Sequence, residues 1–537
     1  MPYNNNEYKN TYIDINECTS RGACSTSPTI SALQELAILL IQHLSHYILE
    51  LEKLGANNDN IKYEIITVLA SLISINEFSD KQLYNIVLRE YFMLNEAQKT
   101  YIDICKKENL QPIEIKKNLK FNQNTSVSQA ISLGEKIFLE KYKKLNTEQK
   151  NLITILLIVI KSISLNLIKL CDYNKFDQET YHEILEALDL FNHHRLSTKK
   201  IYEKINKLAQ YDNKLQIKIS KLLIETFEGI SKVKVSHSTR KGKAILVSGN
   251  NFFDLLKVLE STKDKDIDIY THSNLLITHA LKKFREYKNL QGHFGNQTEN
   301  CILDYATFPG SILLTKNSKS TPEYLYRGRL FSNDYIVPNG VIKIENDNYT
   351  ELIESAENAK GFSKGKSKPE TEIGYNIEEI QQKFDEIIDK LNNNKIEKLY
   401  IIGIDAHLEL QKEYFNELFS KINNNEYVIS FSYTKDLDNI LTIPIGNYVP
   451  LASNIMEYFF ERYPITSPKL VFYITTCDVM SISNIITLKE YNAQNVYIAQ
   501  CPPTLINPSV LDTFRKKYNI NITTDAKTDL KNIRKTN

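Results

Sequence analysis

Through residue 240, apolar residues recur every three or four positions. Leu33, Leu36, Ala37, Leu40, Ile41, Leu44, Ile48 and Leu51 form one such stripe. Ser27 is a good cap for that helix, Pro28 a good first helical residue and Gly55 a plausible stop. The same spacing predicts helices at about 61–75, 80–95, 126–143, 148–171, 177–191, 197–209 and 212–230, with no strand pattern between them. Residues 1–240 therefore read as a helical bundle domain.

At Lys243 the period changes. Ala244–Val247, Ile267–Tyr270 and Ile312–Leu314 are short apolar runs bounded by turn residues, and they predict buried strands. Helices at about 252–260 and 276–286 fall among them. Residues 357–374, with Gly361, Gly365 and Pro369, read as a linker or a long surface loop. A helix at about 376–393 opens a second series. Its strands are Leu399–Ile402, Val428–Phe431, Leu470–Ile474, Val496–Ile498 and a weaker one near Ile520–Ile522. Its helices are at about 409–422, 451–462, 478–491 and 508–517. Alternation of this kind implies parallel sheets covered by helices. The fold class is multidomain α + α/β: an N-terminal helical bundle domain (1–240), then two Rossmann-like, doubly wound α/β domains (241–360 and 361–537). Ligands in such domains sit where strands end. The turn Ser248-Gly249 after the first strand is thus the place to look for chemistry. The last dozen residues are charged and polar, which predicts a frayed end.

Composition narrows the function. The chain has 537 residues and a net charge of +1, which gives no overall attraction to nucleic acid or anionic membrane. Seven cysteines in this length are no disulfide scaffold and suit a reducing compartment. The first residues lack the apolar core of a signal peptide, and the apolar run Leu152–Ile160 stops at Lys161, as a core helix would. These features predict a cytoplasmic protein. Gly361–Ser367 is one residue short of a phosphate-binding loop and follows no strand. Arg240–Lys243 has no interleaved aromatic residue and reads as a solvated domain junction. The lysines of Lys360–Lys368 suit a flexible loop. His193 and His194 are adjacent and so point to different sides of any helix or strand. No nucleic acid or membrane is expected as a partner; a protein partner or self-association is.

Several stretches resemble landmarks of one family. They are Gly242–Gly249 (GKAILVSG), Ile269–Ser273 (IYTHS), Phe308–Gly310 with Ile312–Thr315, and Pro503–Val510. Cys18–Cys24 (CTSRGAC), followed by Ser27-Pro28, resembles an N-terminal cysteine motif that runs into the first helix. Together they are similar to the hybrid-cluster proteins, also called prismane proteins or hydroxylamine reductases, distant relatives of nickel carbon monoxide dehydrogenase. The resemblance implies a helical domain followed by two Rossmann-like domains. It also implies a four-cysteine cubane near the N-terminus and a hybrid iron–sulfur–oxygen cluster between the domains, held by cysteines, a histidine and glutamates.

Carried onto this chain, the resemblance meets few of those ligands. Cys18 and Cys24 match the second half of the cubane motif, but no cysteine stands near Tyr3 or Asn6, where the first pair belongs. Two thiolates do not close a four-ligand site. At the hybrid-cluster positions stand Asn250 for the histidine and Asn274 for a glutamate. Ser318, Asp405, Tyr433 and Tyr448 stand for cysteines, and Asp478 for the last glutamate. Asn and Ser are poor substitutes for thiolate and imidazole donors.

The expectation is a degenerate member of that family, a non-catalytic scaffold or partner-binding protein that has lost its iron–sulfur centres and needs no cofactor. The alternative is an oxidoreductase reducing hydroxylamine or nitric oxide with an altered metal centre. Crevice candidates are Asn250, His272, Asn274, Ser318, Asp405, Tyr433, Tyr448 and Asp478, and Cys18 and Cys24 are an incomplete metal motif. His272, Asp405, His407 and Asp478 all fall near predicted strand ends. Cys105, Cys171, Cys301 and Cys501 read as small buried hydrophobes.

Overall fold

The computed structural model describes residues 27–56, 59–72, 78–113, 115, 119–192, 196–295, 301–316, 318, 325–334, 336–403, 412–431, 438–475, 479–498 and 508–535. Seven helices come first: α1 (Pro28–Lys53), α2 (Asp59–Ser71), α3 (Asp80–Lys107), α4 (Val127–Lys143), α5 (Thr147–Asp172), α6 (Gln178–Asp189) and α7 (Thr198–Thr226). The predicted cap is in place, since Ser27 Oγ accepts from the Ile30 amide. α1 packs on α3, α4 and α6, and α5 packs on α7. α5 is long and apolar enough to cross a bilayer, yet most of it is buried inside the protein, as a core helix is.

Residues 198–226 form one helix where the sequence pattern predicts two. The expected gap at 210–211 is continuous helix, and Asp212, just beyond it, faces α5. There its buried carboxylate accepts from Ser162 Oγ (2.6 Å) and Asn166 Nδ2 (2.7 Å). Burial raises this carboxyl, and the bonds from Ser162 and Asn166 oppose that rise.

The first α/β half holds β1 (Val233–Val235), β2 (Lys243–Ser248), α8 (Phe252–Thr262), β3 (Ile267–His272), β4 (Leu290–His293), α9 (Cys301–Thr307), β5 (Ser311–Leu314), β6 (Leu330–Ser332), β7 (Ile342–Lys343) and α10 (Thr350–Asn358). Then come β8 (Thr371–Ile373), which pairs with β1, and α11 (Ile377–Asn392). The second half holds β9 (Lys398–Ile402), α12 (Lys412–Ser420), β10 (Glu426–Ser430), β11 (Ile440–Thr442), α13 (Val449–Phe460), β12 (Leu470–Ile474), α14 (Val479–Glu490), β13 (Asn495–Ile498), α15 (Pro508–Tyr518), β14 (Asn521–Ile522) and α16 (Ala526–Ile533). The two main sheets are parallel, in the orders β4-β3-β2-β5-β6-β7 and β11-β10-β9-β12-β13-β14. Strand order reverses between β2 and β5 in one and between β9 and β12 in the other. A crevice opens at such reversals.

Three expectations are corrected. The predicted helix at 276–286 is two 3-10 segments, Ser273–Ala280 and Lys282–Glu286. Main-chain bonds from Ser231 to Ala280 and from Lys282 to Gly229 draw it into an extended pairing at Leu281 instead. The predicted frayed end contains α16, capped by Asp525, with Ala526, Leu530 and Ile533 buried. Just beyond it, Arg534 Nε and Nη2 donate to the buried Glu426 carboxylate at 2.8 and 2.6 Å. The stretch read as a linker or flexible loop at 357–374 is pinned. Thr239 pairs with Lys366 and Gly242 with Phe362, and the Phe362 ring lies 5.5 Å from Phe308 and 5.7 Å from Tyr270.

Asparagine ends several helices. Asn109, Asn174, Asn394, Asn492 and Asn519 follow α3, α5, α11, α14 and α15 with φ of 54, 55, 54, 61 and 48°. The next residue in each case donates back into the last turn, for example Lys395 N to Lys390 O at 2.8 Å. These are left-handed helix stops of the kind glycine usually provides.

Candidate functional site

The site forms where β2 and β5 end side by side, at the reversal of the first sheet. β2 is fully apolar from Ala244 to Val247, so it is buried on both faces, and Ser248-Gly249 stops it. Gly249 has φ 135°, and a Cβ there would fall 2.1 Å from Thr315 Oγ1 and 2.2 Å from Ser318 Oγ. Only glycine suits that approach and that backbone. Thr315 Oγ1 then accepts from the backbone amides of Asn250 (3.1 Å) and Asn251 (3.2 Å) and lies 3.3 Å from Ser318 Oγ. Asn250 and Ser318, read separately in the sequence, therefore meet around one hydroxyl.

Tyr448 reaches the same junction from the second α/β half. It is buried directly before α13, its ring edge-on to Phe252 at 4.9 Å, with Lys169 Nζ 5.7 Å from its centroid. Burial, with Asp172 adding to it, pushes its hydroxyl above the ordinary phenol range. Asn274 follows β3, after Ser273, whose φ of 60° is strained for a non-glycine residue. The Asn274 Oδ1 is buried with no hydrogen-bond partner among the described residues. Its 3-10 segment abuts the second half, where a Cβ on Gly446 would lie 3.0 Å from the Ile277 amide. Of the predicted positions, Asn250 and Ser318 are thus joined through Thr315, Tyr448 packs on Phe252, and Asn274 lies past the end of β3. Asp405, His407, Tyr433 and Asp478, with Cys18, Cys24, His193 and His194, lie outside the described residues.

His272 does not face that junction as a donor. It is fully buried, with Ser248 Oγ 2.8 Å from Nδ1 and Asp304 Oδ2 3.1 Å from Nε2, and Ser248 Oγ is also 2.7 Å from the Tyr305 hydroxyl. This Ser–His–Asp contact is not a nucleophile site: the serine is buried and its oxygen is shared between two partners. A second histidine layer lies behind. Thr271 Oγ1 is 2.9 Å from both His279 Nε2 and His293 Nδ1, His293 stacks on His272 at 6.2 Å, and His237 meets His293 edge-on at 5.7 Å. Burial and neighbouring imidazoles push His279 down to about 4 and hold His293 well below its usual range.

The sequence reading missed the charged residues beside the junction. Asp172, the last residue of α5, accepts from Asn251 Nδ2 at 2.6 Å, and Lys316 Nζ stands 3.8 Å from its other oxygen. Burial, opposed by Lys316, pushes the Asp172 carboxyl up to about 6. Asp254 is wholly buried and accepts from the Lys316 amide (2.8 Å) and Asn333 Nδ2 (2.7 Å). Burial raises its carboxyl as well. The available signals were an acid closing an apolar helix and a lysine directly after a strand. Asn251 joins the halves of this network, because its Oδ1 also caps α8 through the Asp254 amide at 3.0 Å. Asn251→Ala is expected to cost about 1–3 kcal/mol by removing cap and carboxylate bond together, read from the urea midpoint. Asn250→Ala, whose described bond comes from its backbone, is expected to cost under about 0.5 kcal/mol.

The described positions thus offer two amides, a hydroxyl and a phenol. Among the described residues no group of three or more His, Cys, Asp or Glu converges to hold a metal ion. Cys105 is buried, and burial pushes the Cys171 thiol up to about 11. Neither lies among these positions.

Comparison with known proteins agrees with the landmarks. The family model described as Prismane/CO dehydrogenase family matches residues 14–431. The hydroxylamine reductase of Thermodesulfovibrio yellowstonii is 24% identical over 547 residues, covering 96% of this chain and 98% of its own. Those of Methanocella arvoryzae and Syntrophobacter fumaroxidans are each 23% identical, covering 96% of this chain and 97% of their own.

Proposed function

The chain belongs to the Prismane/CO dehydrogenase family, and from that premise we propose that it is a non-catalytic member: a cytoplasmic scaffold or partner-binding protein without the iron–sulfur centres of the family. The observation that carries this reading is the chemistry of the described residues at the positions the family resemblance gives to ligands. Asn250, Asn274, Ser318 and Tyr448 stand where the family resemblance implies a histidine, a glutamate and two cysteines. Soft thiolates match iron–sulfur clusters, and neutral amide and hydroxyl oxygens do not. Asn250 and Ser318 are moreover drawn together on Thr315 Oγ1. A hybrid iron–sulfur–oxygen cluster does not fit these residues, and no reaction step is derived through one.

Protein purified without oxygen is expected to be colourless, with iron and acid-labile sulfide well below one equivalent. Stoichiometric iron and sulfide with visible absorption would sink this reading. The second reading is an oxidoreductase acting on hydroxylamine or nitric oxide with an altered centre. Its support is the name hydroxylamine reductase carried by relatives that cover nearly the whole chain. Turnover of hydroxylamine with a strong artificial electron donor, in protein reconstituted with iron, would establish it.

A further inference from the structure

Two basic runs more than a hundred residues apart in sequence form one surface. Residues 239–243 (TRKGK) and 360–368 (KGFSKGKSK) hold seven lysines and arginines and no acidic residue. They run antiparallel. Thr239 and Lys366 exchange both main-chain bonds, at 2.9 and 3.0 Å, and so do Gly242 and Phe362, at 3.1 and 2.8 Å. Glycines permit the approach: a Cβ on Gly361 would lie 2.3 Å from Gly242 O, and one on Gly365 2.8 Å from Thr239 O. Phe362 turns inward onto Tyr270, Phe294 and Phe308. The strip is therefore a fixed platform and not a mobile tail.

Three of the seven cations are engaged. Arg240 is bound to the Asp268 carboxylate (Nε at 2.6 Å), Lys243 Nζ donates to Ala359 O, and Lys368 Nζ lies 5.9 Å over the Phe294 ring. Lys241, Lys360, Lys364 and Lys366 are exposed and have no ion-pair partner among the described residues. The two bridging pairs lie three residues apart on one run and four on the other, which is roughly 10–13 Å at ~3.3 Å per residue. Acidic residues bound the strip, Asp266 beside Arg240 and Glu370 with Glu372 beyond Lys368.

We propose that this strip is a docking surface for an acidic segment of a partner protein. A short row of like charges held rigid attracts a complementary row and speeds its encounter. The alternatives fit less well. The strip has no unengaged guanidinium and no outward aromatic ring for stacking bases, and acids flank it where a phosphate backbone would continue. It also presents no large apolar side chain to enter a membrane surface. The inference holds whether or not the chain carries iron, so its failure would leave the reading above to be decided by metal analysis.

The test is binding of a fluorescent oligoglutamate peptide to the full chain at low and high salt. The variant carries K241E, K364E and K366E, and the charge-matched control K99E, K106E and K107E on α3. The wild type and control are expected to bind with a salt-dependent affinity, and the strip variant to lose about tenfold or more while melting at the same temperature. Equal affinity for variant and wild type, or no binding to the wild type, would overturn the surface. Tighter binding of a single-stranded oligonucleotide or of phosphatidylserine vesicles through the same lysines would overturn the class of partner.

Discussion

Replacing Glu90 by leucine is expected to stabilise the protein at neutral pH by about 1–4 kcal/mol. Glu90 lies inside the helical bundle on α3, fully buried, and neither carboxyl oxygen has a hydrogen-bond partner among the described residues. Burial first, and the neighbouring Glu64 second, raise its carboxyl well above the ordinary range. A carboxyl raised in the folded state favours folding fully only below its unfolded value, near 4.5. That contribution is lost as pH rises through the folded value. The gain from Glu90→Leu should therefore be small near pH 4.5 and grow toward pH 8. Urea midpoints of wild type and variant at both ends of that range would show it. A variant less stable at every pH would mean that the carboxyl is held by something its own surroundings do not reveal.

The histidine layer behind β3 predicts the opposite dependence on pH. His279 is pushed from 6.5 down to about 4, its ring enclosed although part of the residue reaches solvent. His293 goes well below 6.5 and His237 is lowered too. Each imidazole must be neutral to stay in place. A lowered histidine stabilises the fold above its unfolded value and loses that contribution as pH falls toward its folded one. Between pH 6.5 and about 4, His279 alone accounts for up to about 3 kcal/mol. Asp172, pushed up to about 6, works against this over part of the same interval, so the wild-type profile by itself mixes both. The clean measurement is the melting temperature of His279→Gln against wild type from pH 7 to pH 4. The difference should shift in favour of the variant as pH falls. A constant difference across the range would refute the assignment.

Most of the architecture was legible because burial on both faces writes an unbroken apolar run. Leu470–Ile474 is such a run and its bounds hold. Two of the strands that escaped notice, β4 and β7, close the edges of the first sheet, and a third, the three-residue β6 (Leu330–Ser332), lies inside it but is too short to make a run. Leu290–His293 carries Gln291, Gly292 and His293, and Ile342–Lys343 is two residues long. Edge strands bury less and are therefore patterned less.

The site was legible only by position. Asn250 and Ser318 were marked by landmarks that also mark the turn geometry, and the structure brings them together. His272 was marked in the same way and serves another network, behind the strand end. Asp172, Lys316 and Asp254 had no mark, because what joins them is tertiary: the end of α5 meets the first turn of α8 across more than seventy residues of chain. Likewise, neither basic run betrays that it faces the other.

The helix stops at Asn109, Asn174, Asn394, Asn492 and Asn519 connect this fold to the gene that encodes it. Glycine codons begin with two guanines, and asparagine codons with two adenines. These residues, the two that best tolerate a left-handed backbone, lie at opposite extremes of nucleotide usage. A coding sequence drifting toward adenine and thymine can thus give up glycines without giving up the geometry that closes a helix. The chain has only 16 glycines in 537 residues, well under the roughly 7% usual in proteins. Five of its asparagines, which look like noise when counted, stand at helix ends as punctuation rewritten in another alphabet.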